Sequence, residues 1–302
     1  MTKKNIIVTG ANSFLGMRLI NRLALSGWTP IAVVRKKCGI GVEHIHKDIQ
    51  LFELPDPSQW IDFFSSFMPC AAVHLAHSTY DVGCNANSLL EMSMSNIHLP
   101  LCLAKGLYKA GNLQETKKLI TVGSHWQTYG GKKYSPLNFY AGFKQGLTEI
   151  LRGFTQEAEN LSVTSLRLGD VYGKGDHRPK ILNLMINALR NNELLEVTPG
   201  NQLVTLIHVD DVVSAFLSAL ELSHTSTVLE FDVFTNESIT IKQLVGLIES
   251  ISKKKINTVW GAKPYRKKEV FKIGVPRQVP NWVPAIDLVE GLSDILAESK
   301  TS

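Results

Sequence analysis

The chain has 302 residues, 44% hydrophobic and 20% charged, with a formal net charge of +5. That composition fits a globular protein with a large core and excludes a disordered polymer. No apolar run reaches the roughly 18 residues of a membrane-spanning helix. The basic runs Lys253-Lys254-Lys255 and Arg266-Lys267-Lys268 lack interleaved aromatics. This argues against nucleic acid as a partner and leaves an anionic small substrate to account for the excess. Cysteines 38, 70, 84 and 102 form no Cys-x-x-Cys pair, so they read as free thiols rather than disulfides or metal ligands. Met1 to Lys4 enters the first strand directly, so the reading expects no signal peptide, no membrane anchor and a cytoplasmic protein.

In chain order, Asn5 to Thr9 reads as a strand that runs through a glycine turn into a helix over 14–26, striped by Leu15, Leu19, Ile20 and Leu23. Further strands are predicted at Ile31–Val34, Ala71–Leu75, Lys118–Val122 and Ser162–Leu168, and helices near 57–67, 86–111 and 139–159. The alternation predicts an α/β fold, a doubly wound parallel sheet with right-handed crossovers. Lys174 to Pro199 breaks the pattern, with a Gly/Asp/His/Arg/Pro loop followed by an apolar helix at Ile181–Leu189. Leu203–Leu220 is expected to return to the sheet. Residues 1–173 with 203–237 then form a dinucleotide-binding domain, and 174–202 with 238–302 a smaller substrate lobe.

Two motifs carry the chemistry. A strand, a glycine turn (Gly10, Asn12, Ser13, Phe14, Leu15, Gly16) and a helix N-terminus form a pyrophosphate cradle, because free backbone N–H groups and the helix dipole face the anion. Tyr140 and Lys144 stand four residues apart and share one helix face. A phenol with an unperturbed pKa near 10 needs a neighbouring cation to exchange a proton near neutrality, and Lys144 supplies one.

These motifs resemble the extended short-chain dehydrogenase/reductase family, the NAD-dependent epimerases and dehydratases, and the likeness spans nearly the whole chain. Thr9 to Gly16 is similar to that family's glycine turn. Val73-His74-Leu75-Ala76, Arg167 to Gly173, Ile207 to Val212, Trp260 to Arg266 and Asn281 to Pro284 resemble its later motifs. The resemblance implies that Asp48 and Ile49 contact adenine, and that Leu75, Ala76, His77 and Val171 lie along the cofactor. It further implies that Lys144 holds the nicotinamide ribose. Arg266 would contact a nucleotide diphosphate, with Lys180 a further phosphate partner and Asp170 in a position where many members carry Asn. Asp211 would order the junction between the lobes.

At the end of the second strand, where NAD-selective sites carry an acid, stands Arg35, with Lys36 and Lys37 behind it. A guanidinium there favours NADP. Ser13 replaces the central glycine of the turn, and its backbone N–H is expected still to reach phosphate. The second donor to the substrate oxygen is expected from Ser124 to Gly130. Counting from the strand selects Ser124, and counting back from Tyr129-Gly130 selects His125. The strand count is preferred because a hydroxyl matches the family's Ser/Thr, which leaves His125 and Trp126 as substrate-binding residues. His125-Trp126-Gln127 lacks the acidic pair of the family's dehydratases. Together with Tyr134-Ser135-Pro136-Leu137 it resembles the 4-ketoreductases that make 3,6-dideoxyhexoses, such as CDP-abequose and CDP-paratose synthases. The expectation is an NADP-dependent reductase of a 4-keto-6-deoxy nucleotide-diphosphate sugar. The alternatives are an NAD-dependent 4-epimerase and, from another class, a non-catalytic NADP-binding regulatory protein. A homodimer is expected from apolar residues on helices 86–111 and 139–159: Leu99, Leu101, Leu103 and Leu107 on the first, Phe143, Leu147, Ile150 and Leu151 on the second.

Overall fold

The computed structural model describes residues 4–35, 46–78, 85–111, 115–223 and 227–297. Lys36, Lys37, Cys38 and Cys84 lie outside them; Cys70 and Cys102 are free thiols. The first half runs β1 (Lys4–Thr9), α1 (Phe14–Leu25), β2 (Trp28–Val34), β3 (Gln50–Glu53), α2 (Trp60–Ser66), β4 (Ala71–His74), α3 (Ala86–Ser93), α4 (Leu99–Ala110), β5 (Lys117–Ser124) and α5 (Phe139–Glu157). The second half runs β6 (Leu161–Leu168), β7 (Asp170–Tyr172), α6 (Ile181–Asn191), β8 (Leu195–Val197), β9 (Leu203–Val204), β10 (Leu206–His208), α7 (Val209–Glu221), β11 (Val228–Val233), β12 (Ile239–Thr240), α8 (Ile241–Ser252), β13 (Thr258–Trp260) and α9 (Leu288–Ala297).

Seven strands form one sheet in the order β11-β6-β5-β4-β1-β2-β3. Every pairing in it is parallel, from Ile7 opposite Ile31 to Ser124 opposite Leu168. This is the doubly wound Rossmann-like arrangement predicted from the alternation of elements. Strand residues alternate between two cores. Ile6 and Val8 pack with Leu19, Leu23, Val212 and Phe216 on the α1/α7 face. Ile7 packs with Phe64, Leu103, Leu107 and Leu147 on the α2/α4/α5 face. A third core joins Met185, Ile186, Leu244, Ile248 and Leu292 of α6, α8 and α9, and forms the smaller lobe.

Three local expectations change. The helix over 86–111 is interrupted by a π turn at Met94–His98, where Pro100 has no N–H to continue the α-helical ladder. Residues 203–208 do not rejoin the seven-stranded sheet: β9 pairs with β12 and β10 with β7. It is α7 that packs on the sheet, and β11 that adds the edge strand. Finally, Leu99, Leu103, Leu107, Leu147 and Leu151 are taken up by the chain's own core, so they offer no surplus for an interface. Leu89, Leu90, Phe139 and Ile150 are the exposed apolar residues of these helices.

Candidate active site

Strand order reverses between β1 and β4, the place where doubly wound sheets bind ligands beyond the carboxyl ends of their strands. A cavity of about 600 Å³ opens there, lined by Gly10, Asn12, Ser13, Arg35, Leu75, Ala76 and His77. Two glycines of the turn are sterically required. Gly10 has φ +68, and a Cβ there would stand 2.6 Å from the Ala76 nitrogen. At Gly16 a Cβ would stand 2.4 Å from the Gly10 carbonyl. Beneath the turn, Thr9 Oγ1 and His74 Nδ1 are 2.8 Å apart and tie the two strand ends together. Burial holds the His74 ring neutral, well below the usual histidine range.

Ser13 behaves differently from the expectation. Its N–H donates to the Gly10 carbonyl at 3.0 Å and so is not directed at a phosphate. Its Oγ accepts from the Gly16 N–H at 3.0 Å and caps α1. Of the first-turn amides, those of Phe14 and Leu15 have no acceptor within the helix and remain for an anion. The Phe14 ring lies between the Arg18 and Arg178 guanidiniums, at 5.6 and 5.0 Å. Arg178 is held by both oxygens of Asp176 and donates to the Val171 carbonyl. Arg18 binds Asp210 and the Lys174 carbonyl. These contacts fasten the 173–180 loop to the start of α1. The sequence reading did not select Arg178, whose partners come from a loop, a strand and α1.

Asp48 and Ile49 are not brought to this cavity. They precede β3 instead of following it, Asp48 is exposed beside His46 at 3.6 Å, and Ile49 packs against the sheet core. Leu54 and Pro55, just after β3, take the place at the cavity wall. Arg35 is exposed at the end of β2, where the cofactor-selecting residue was expected.

A second cavity of about 570 Å³ lies between the sheet and the smaller lobe. It gathers His125, Trp126, Asp170, Lys180 and Arg266 from four separated stretches of chain, with Val171 beside them. The Arg266 guanidinium is exposed but oriented by Glu269, 3.3 Å away. Asp211 stays out of the cavity. Its two oxygens accept from the Ala285 and Ile286 amides, and its carbonyl accepts from Trp282 Nε1, so it fixes the C-terminal segment against α7.

Tyr140 and Lys144 lie on the first turns of α5, which Asn138 caps by accepting from the Ala141 N–H. Lys144 is 2% exposed, and its Nζ stands 5.6 Å from the centre of the Tyr140 ring. Burial pulls the ammonium down to about 8 and pushes the phenol up to about 12. The Tyr140 ring stands 6.2 Å from that of His77, which lines the first cavity; Tyr140 and Lys144 themselves are in the lining of neither cavity. His77 is neutral, its pKa lowered to about 4 by burial and then by the Lys144 charge. Ser124 ends β5 half-buried and lines neither cavity.

Comparison with known proteins gives a consistent picture. CDP-abequose synthase of Salmonella muenchen is 30% identical over 271 residues, 89% of this chain and 88% of the relative. Among solved structures, UDP-glucose 4-epimerase of Thermotoga maritima with UDP-glucose superposes with TM-score 0.82 at 24% identity, covering 97% of each chain. The UDP-glucose 4-epimerase of Thermus thermophilus with NAD gives 0.80 at 18% identity, again over 97% of each. The NAD dependent epimerase/dehydratase family matches residues 6–229. With its parallel sheet, its glycine turn and a tyrosine–lysine pair one turn apart on α5, the chain belongs to that family and is an enzyme of the short-chain dehydrogenase/reductase type.

Proposed function

We propose that the protein is an NADPH-dependent reductase of a 4-keto-6-deoxy nucleotide-diphosphate sugar, with a CDP-linked, 3,6-dideoxy substrate the first choice. The observation that supports this best is the second cavity. Facing it just beyond β5 are His125 and Trp126, with no acidic pair for water elimination, and the CDP-abequose synthase relative aligns with 89% of the chain. The first cavity would take the dinucleotide: Gly10 and Gly16 let the turn close against Ala76 and the Gly10 carbonyl without a clash, the amides of Phe14 and Leu15 have no acceptor within the helix, and Arg35 offers a 2′-phosphate its guanidinium. When bound, the reduced nicotinamide supplies the hydride. Tyr140 gives its proton to the oxygen that accepts the carbonyl electron pair. Lys144 keeps a positive charge one helical turn away, which lowers the cost of the phenolate. Arg266 and Lys180 hold the diphosphate, and Val171 and Asp170 form the floor between cofactor and sugar. A dimer through the two helices chosen from the sequence would use Ile150, of the residues named for it, with the exposed Leu89, Leu90 and Phe139; a light-scattering mass of about 33.5 kDa at micromolar concentration would contradict it.

The test is turnover of CDP-4-keto-3,6-dideoxyhexose and of CDP-, dTDP-, UDP- and GDP-4-keto-6-deoxy sugars with NADPH and with NADH. Reduction of the CDP sugar with NADPH is expected, and Arg35→Asp should shift the preference toward NADH. Equal or tighter NADH binding by the unaltered protein would defeat the cofactor assignment. A 4-epimerase is the second reading, favoured by the fold shared with the two UDP-glucose 4-epimerases. Interconversion of 4-hydroxy sugars with no loss of NADPH would support it.

A further inference from the structure

We propose that His125, not Ser124, is the second hydrogen-bond donor to the substrate carbonyl oxygen, with Asp170 as the residue that positions its ring. The proposal rests on the ketoreductase reading and names the group that completes its site. The two candidates are adjacent in sequence but have separate fates in the fold. Ser124 is extended (φ −141, ψ 144) and caps the short 3₁₀ turn His125–Gln127. Its Oγ accepts from the Trp126 N–H at 3.3 Å, and its own N–H donates to Gln127 Oε1 at 2.8 Å. Gln127 is anchored in turn to Gln145 of α5 at 3.0 Å. This reciprocal arrangement is a capping box; it uses the Oγ as an acceptor and holds it at the backbone of the turn, outside the lining of the substrate cavity, while the O–H hydrogen is not used by the cap.

The same turn sends the next side chain to the cavity. His125 is 7% exposed and lines the substrate cavity with Asp170. Its ring packs edge-on against Phe234 at 6.2 Å, which fixes its plane. Nε2 stands 3.8 Å from Asp170 Oδ2. At that separation the carboxylate favours the tautomer with hydrogen on Nε2 but does not engage that hydrogen in a direct bond. The N–H therefore remains for an oxygen that enters the cavity. Burial lowers the His125 pKa, and Lys180 acts in the same direction; Asp170 and Asp232 oppose them. The ring is thus a neutral donor at neutral pH. It keeps its proton throughout: the hydride goes to the carbonyl carbon, and the proton the oxygen gains comes from Tyr140.

The experiment compares single-turnover reduction of a CDP-4-keto-6-deoxyhexose by the full chain and by His125→Ala, His125→Asn, Ser124→Ala and Tyr140→Phe. Circular dichroism verifies folding. His125→Ala should lose roughly 10²-fold or more in kcat, the scale of one lost oxyanion-type donor, with KM for NADPH unchanged. His125→Asn keeps a polar side chain with an N–H donor, and should recover about tenfold of that loss. Ser124→Ala should lose less than His125→Ala and show its effect mainly as a lower Tm. Nitrogen-15 spectra should place the His125 hydrogen on Nε2 and show that resonance moving when a CDP-sugar is added. A His125→Ala rate within about threefold of wild type, alongside a stalled Tyr140→Phe, would overturn the His125 assignment and leave the ketoreductase reading standing. So would a larger loss in Ser124→Ala than in His125→Ala. If the unaltered protein reduces no sugar of the panel, the reading and this proposal fall together.

Discussion

Two serines in this molecule stand at or just past the end of a strand and cap the helical turn that follows. Ser13 caps α1 at the mouth of the first cavity, and Ser124 caps the 3₁₀ turn after β5 beside the second. In the first turn the side chains matter little. The amides proposed to take the anion belong to the backbone of the first helical turn, and the close approach of the glycine turn to it depends on Gly10 and Gly16 having no Cβ. In the second turn the backbone carries the side chains that face the cavity, and a one-residue difference decides whether a hydroxyl or an imidazole meets it. A site built from backbone depends on which positions lack a Cβ, whereas one built from side chains depends on the phase of the turn.

The largest expected effect lies at the tyrosine–lysine pair of α5. Tyr140→Phe should reduce turnover by roughly 10²–10⁴-fold, the range for a general acid, with NADPH affinity little changed; stopped-flow absorbance would show it. Full activity would move the proton donor elsewhere, with His125 first in line. On the backbone side, Gly10→Ala combines a left-handed φ with a clash against Ala76. Overpacking of that kind costs about 1–3 kcal/mol, so calorimetry should find NADPH binding weakened by about tenfold or more. An unchanged affinity would mean that the glycine turn is not the phosphate site.

The pH dependence follows from Lys144. Its folded pKa of about 8 lies below the usual 10.5, so its charge is lost as pH rises through about 8, and turnover should fall above that point. Lys144→Arg should carry the falling limb to higher pH. The contribution to folding has the opposite sign. Between about pH 8 and 10.5 the unfolded chain binds more protons at this group than the folded one, so the contribution to stability rises with pH in that window. A turnover profile flat from about pH 7 to 10 would contradict the assignment. The smallest effect is Ser13→Ala, which removes the α1 cap and should cost about 1 kcal/mol of stability by chemical denaturation. Its NADPH affinity should change far less than that of Gly10→Ala, and equal losses would erase the distinction between the two turns.

Sequence legibility follows the same division. Gly10 and Gly16 are readable because a missing Cβ is written directly in the residue type, and Tyr140 with Lys144 because a four-residue spacing fixes a shared helix face. His125, Trp126, Asp170, Lys180 and Arg266 are each selected from the sequence, and the fold gathers all of them at one cavity. Asp48 and Ile49 are misplaced because β3, Gln50-Leu51-Phe52-Glu53, is four residues long with polar ends and gives no periodic signal. The pair is selected by its resemblance to a family motif, and the resemblance does not say which side of this short strand it falls on. The pairings of β7 with β10 and β9 with β12 involve two or three residues each and distant partners, and no local pattern encodes them. The choice between Ser124 and His125 turns on a 3₁₀ turn whose cap is visible only in three dimensions.

The central claim is that this enzyme reduces its sugar with net consumption of cofactor. The most direct test mixes the protein with NADPH carrying deuterium at nicotinamide C4 and a CDP-4-keto-6-deoxyhexose, following reduced-nicotinamide absorbance and the product by mass spectrometry. One NADPH lost per sugar reduced, with deuterium at C4 of the product, is the predicted result. Sugar conversion with no net loss of NADPH would contradict the account and point to epimerase or dehydratase chemistry.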